Sequence, residues 1–73
     1  MTPEQIQTVL VDTEIGLAEK GAYCILAFVL DGEGSFGDIA AESAQQVPFL
    51  NTALKRLRLR GYITFHNDRY QVL

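Results

Sequence analysis

The sequence predicts one mainly α domain closed by a small β-hairpin. Three observations carry that prediction. Apolar residues recur at helical spacing in several stretches, capping residues and glycines punctuate those stretches, and from Tyr62 onward the pattern changes to alternation about a polar pair.

Thr2-Pro3-Glu4-Gln5 reads as a helix start, with Thr2 as N-cap, Pro3 in the first turn and Gln5 completing a capping box. Ile6, Val9, Leu10 and Thr13 then form a narrow apolar stripe, and Gly16 is expected to end or loosen this helix. From Leu17 or Ala18 to Asp31 the chain is apolar on nearly every side, with Tyr23, Cys24, Ile25, Leu26, Ala27, Phe28, Val29 and Leu30 in succession. Such a helix needs cover on more than one face. The N-terminal helix or a second copy of the chain can supply it. Gly32-Glu33-Gly34 is expected to break the chain.

Ser35-Phe36-Gly37-Asp38 is a second capping box, opening a short helix with Ile39, Ala40 and Ala41. After Ala44-Gln45-Gln46 another helix begins near Val47 or Pro48. It carries Leu50, Ala53, Leu54 and Leu57 at helical spacing through Arg60, and Gly61 closes it as a left-handed cap. The remainder reads as a hairpin turning at Asn67-Asp68. That turn sets Ile63 opposite Val72 and Phe65 opposite Tyr70 on the buried face, leaving Thr64, His66, Arg69 and Gln71 on the wet one. The plan is one domain over 1–73, with an N-terminal helix (1–16), a three-helix core (17–61) and a hairpin (62–73).

At 73 residues the chain sits near the lower limit for independent stability. Cys24 is its one cysteine and His66 its one histidine, so neither a disulfide nor a metal cluster is expected to help. Cys24 reads as a small core residue. Composition is ordinary globular, with 48% hydrophobic and 21% charged residues. The N-terminus lacks a signal-peptide pattern, and the longest apolar run falls short of the roughly 20 residues of a membrane span. A soluble cytoplasmic protein is the expectation. Net charge is −3, but the signs are segregated: 1–44 hold eight acids against Lys20, and 45–73 hold Lys55, Arg56, Arg58, Arg60 and Arg69 against Asp68. There is no nucleophile elbow, phosphate loop, dinucleotide fingerprint or plausible catalytic pair, and Asp12 and Glu14 read as solvated helix surface. No enzyme, cofactor or metal is expected.

The order of helices and hairpin, with Ser35, Asp38, Ile39 and Ala40 at the short helix and Leu57, Arg60, Gly61, Tyr62 and Ile63 at the end of the next, resembles the winged helix-turn-helix of MarR-type and related bacterial regulators. The resemblance covers residues 22–73, with ungapped spacing between the two motifs. It implies a winged helix-turn-helix with an extra N-terminal helix. The helix from Val47 would be the one offered to the major groove, and the hairpin would be a wing reaching neighbouring backbone. By that analogy Gln46, Asn51, Thr52 and Lys55 approach bases and phosphates, Pro48 and Phe49 lie at the leading end, Arg56, Arg58 and Arg69 lie where phosphate contacts fall, and His66 joins Arg69 on the wing as a candidate DNA contact. The basic run also suits the negative end of a helix dipole, with Arg60 structural or capping.

The expected partner is double-stranded DNA, bound sequence-specifically by a small transcriptional regulator, a repressor by the same analogy, as a homodimer through Ile6, Val9, Leu10 and the Tyr23 to Leu30 helix. Val47, Pro48 and Phe49 also suit a protein-docking module, because the fold does not fix the function. A chain stopping on the last strand of the hairpin is compatible, too, with a piece of a larger regulator.

Overall fold

The computed structural model describes residues 2–73. Its elements are α1 (Pro3–Val11), α2 (Leu17–Cys24), a π-helical turn (Ile25–Val29), β1 (Glu33–Ser35), α3 (Phe36–Glu42), α4 (Val47–Leu59), β2 (Ile63–His66) and β3 (Arg69–Val72). This is a mainly helical winged helix-turn-helix with an additional N-terminal helix.

Both capping boxes form. The Gln5 amide donates to Thr2 Oγ1 while the Thr2 amide donates to Gln5 Oε1, and Asp38 and Ser35 exchange the same pair of bonds. The first helix stops sooner than Gly16, however. Asp12 caps it, and its Oδ1 accepts the Glu14 amide at 2.8 Å, an Asx turn that draws the chain out of the helix. Gly16 instead opens α2 as its N-cap.

The apolar run after Leu17 is helical, but its last turn widens. The Leu30 amide donates to Ile25 O at 3.0 Å, a five-residue spacing. Asp31 and Gly32 then take positive φ, 56° and 97°, and the chain leaves the helix.

The expectation that Gly32-Glu33-Gly34 is only a break needs correction. Glu33–Ser35 form β1, giving a three-stranded antiparallel sheet of order β1-β3-β2. Gly34 suits this close packing, since a Cβ there would meet Leu30 Cδ1 at 2.8 Å. The hairpin turns at Asn67 and Asp68, φ 52° and 61°, with the expected register of Ile63 opposite Val72 and Phe65 opposite Tyr70. Ile63 and Tyr70 are buried and Val72 is half-buried, but Phe65 is 38% exposed. It lies toward the turn end of the hairpin, between the Tyr70 ring and the Arg58 guanidinium rather than over the core.

At the end of α4 the Gly61 amide bonds to Arg58 O and the Tyr62 amide to Leu57 O, both at 3.0 Å, with Gly61 at φ 79°. These are the paired bonds of a left-handed helix cap. The core joins Tyr23 and Leu26 to Ile39 of α3 and to Leu50, Leu54 and Leu57 of α4, with Ile63 and Tyr70 below and Val9 of α1 at the side. Val9, Tyr23, Leu26 and Ala27, which the sequence offered to a second copy, are therefore spent inside this chain. Ile6 packs against the same core, while Leu10, Phe28 and Val29 stay exposed. The first helix docks on its own chain.

Candidate nucleic-acid interface

α4 owes its position to one buried stripe. With about 100° between successive residues, Leu50, Ala53, Leu54 and Leu57 face the core while Pro48, Thr52, Lys55 and Leu59 point away. The other exposed residues fall on two flanks. Asn51 and Arg58 lie toward the hairpin, where Arg58 stacks on Phe65; Phe49 and Arg56 lie toward α2, where Arg56 meets Glu19. Gln46 is the exposed N-cap at the leading end. All ten residues named from the sequence are exposed, but they do not form one surface. Asn51, Thr52, Lys55 and Arg58 share the outward and hairpin-facing surface of α4. Phe49 and Arg56 share the opposite flank. His66 and Arg69 face each other across the far end of the hairpin.

Ion pairing divides the basic residues further. Arg56 Nη1 lies 3.1 Å from Glu19 Oε1, and Glu19 is buried, 4% exposed. Arg60 Nη2 lies 2.8 Å from Asp12 Oδ2, and Arg69 Nε lies 2.8 Å from Glu33 Oε1. Arg69 also stands near Asp38, whose carboxyl is held below its ordinary range first by hydrogen bonds from Ser35 and further by the arginine's charge. Among the described residues Lys55 and Arg58 are the α4 cations without an ion pair. Both line an open groove between α4 and β2, with Leu59, Ile63, Thr64 and Phe65 as its remaining walls.

Asp12 is not solvated surface. Its side chain is 6% exposed, accepts hydrogen bonds from Tyr62 Oη, the Glu14 amide and Arg60, and ties α1 to the end of α4. The Tyr62 hydroxyl first, then the Glu14 amide, then Arg60 hold its carboxyl down to about 2. Donating that bond to the carboxylate in turn pushes the Tyr62 hydroxyl up. Gln45 Nε2 donates to Ala18 O at 3.0 Å, anchoring the turn before α4 to α2. Sequence reasoning missed Glu19, Asp12 and Glu33 as partners because ion pairs across 36 to 48 residues leave no local spacing. It missed Phe65 because alternation assigned that residue to the buried face.

No group of three or more potential ligands could hold a metal among the described residues, and no helix is long and apolar enough to cross a membrane. No protein-family model and no curated protein matches the chain. Among solved structures it is similar to TrmBL2, an archaeal chromatin protein reported to show a novel mode of DNA binding, with 20% identity and a TM-score of 0.68. That match covers 100% of this chain but 28% of TrmBL2. At this identity the likeness concerns the fold, and the fold shared over the whole chain is the winged helix.

Proposed function

We propose that this chain binds double-stranded DNA through α4 and the wing, as a small MarR-like regulator of the repressor type in the cytoplasm, and that it is not an enzyme. The observation that carries this reading is the outward face of α4, where Asn51 and Thr52 precede the unpaired cations Lys55 and Arg58 beside the wing. A helix of 13 residues, about 20 Å long, suits insertion into a major groove about 12 Å wide. The structural likeness to TrmBL2 supports the same reading. A homodimer fits it through the apolar side chains that the core leaves exposed, Leu10, Phe28 and Val29.

Fluorescence anisotropy with a random duplex pool across a salt series tests this directly. Binding that weakens with salt, together with enrichment of a repeated half-site on selection, supports a sequence-specific regulator. Absence of binding near about 50 mM salt removes the DNA reading. A second reading has its own observation: Val47 and Phe49 are 58% and 63% exposed at the start of α4. An apolar leading end suits docking to a protein, and loss of a partner on Phe49→Ala with DNA affinity unchanged favours it.

A further inference from the structure

We propose that the groove between α4 and β2 holds a phosphodiester of the DNA backbone between Lys55 and Arg58, and that Phe65 is the positioning residue that holds the Arg58 guanidinium over it. This rests on the duplex-binding reading and adds where the phosphate sits and what prepares the site.

The geometry supports it at three points. Lys55 and Arg58 are three residues apart on α4, on adjoining parts of its surface, and neither makes an ion pair, whereas Arg56, Arg60 and Arg69 each face a carboxylate. Their positive charge is therefore available. Both side chains line the same groove, and Thr64 on β2 adds an exposed hydroxyl to its wall. The Arg58 guanidinium also lies over the Phe65 ring, 5.1 Å from its centre, and the Tyr70 ring braces Phe65 with centroids 4.5 Å apart. Tyr70 is buried, so the stack is fixed to the core.

A long arginine side chain normally loses rotamer freedom when it grips a ligand. Stacking on an aromatic face removes much of that freedom beforehand while leaving the edge N–H donors free for phosphate oxygens. This also explains an exposed phenylalanine at a strand position where alternation calls for a buried one. Its ring faces a cation instead of the core.

The test uses the whole chain with duplex DNA. Phe65→Leu keeps an apolar side chain and removes the aromatic face, and is expected to weaken binding about two- to fivefold. Phe65→Tyr is expected to restore it. Arg58→Gln and Lys55→Gln should each make the slope of log K against log salt shallower by about 1. Phe65→Leu should be non-additive with Arg58→Gln. Independently of DNA, the Arg58 side-chain protons should show upfield ring-current shifts in the free protein that vanish in Phe65→Leu. Thermal melting of each variant separates loss of fold from loss of contact.

If the wild type binds DNA but Phe65→Leu binds equally well, or its effect simply adds to that of Arg58→Gln, the positioning role is overturned while the duplex reading stands. If the slope is unchanged in both Lys55→Gln and Arg58→Gln, the phosphate is not in this groove. If the wild type binds no duplex, the underlying reading fails and the groove's proposed ligand with it, even where the ring-current shift is present.

Discussion

Arg56 and Arg58 are two positions apart on α4, yet they face different neighbours and should fail differently. Arg56 reaches a buried carboxylate on α2, so Arg56→Ala leaves Glu19 without its partner and is expected to cost about 1–3 kcal/mol. Chemical denaturation checks this, and DNA affinity should change little. Arg58→Ala should do the reverse, lowering affinity while leaving the unfolding midpoint nearly unchanged. Equal stability losses in both would mean that Arg58 is held structurally. Asp12 gives a pH-dependent counterpart. Its folded pKa of about 2 lies below the ordinary 3.8, so its contribution is present above 3.8 and fades as pH falls through 2. Asp12→Asn should therefore melt lower than wild type at neutral pH, with the gap closing below pH 3.8. A gap that persists unchanged to acid pH would assign the effect to something other than carboxylate charge.

At the scale of elements, the helices and hairpin were legible because their determinants are local. Two capping boxes, a left-handed glycine and a two-residue turn fix where each begins and ends, and the hairpin register follows from its turn. β1 was not legible: Glu33-Gly34-Ser35 has no apolar alternation, and becomes a strand because β3 offers an edge to pair with. The π-helical turn was hidden for a similar reason, since the shift from a four- to a five-residue hydrogen bond leaves the apolar sequence unchanged. Of the candidate interface, exposure was legible from helical spacing, but the division into two flanks depends on Glu19 and Phe65, which sequence spacing cannot bring near α4. The local signals make their own prediction. Gly61 has φ 79° and nothing within 4 Å of an added Cβ, so Gly61→Ala should cost about 1 kcal/mol through backbone strain alone. Asp68→Gly, at φ 61°, should instead stabilise the hairpin. Urea midpoints of the two variants should move in opposite directions.

Over the whole molecule, net charge is a poor guide to what the proposed DNA-binding face offers, because Arg56, Arg60 and Arg69 are each paired with a carboxylate. An acidic N-terminal half supplies Asp12, Glu19 and Glu33, and folding brings each against an arginine of the basic half. These pairs leave Lys55 and Arg58 as the cations free on the proposed face. If each neutralises one phosphate, a bound monomer should show a log K against log salt slope of about −2, roughly doubled for a dimer engaging two half-sites. The wing offers a way to test this account. Arg69 and Glu33 are each about half exposed, 48% and 52%, so their pair is one that a phosphate can replace. Glu33→Gln removes the competing charge and should raise DNA affinity while steepening the slope by about 1, with light scattering confirming an unchanged oligomeric state. If affinity and slope stay at wild-type values, Arg69 does not reach the backbone and the wing adds shape rather than charge. A wild-type monomer slope much steeper than −2 would show instead that DNA draws Arg56, Arg60 or Arg69 away from their acids on binding.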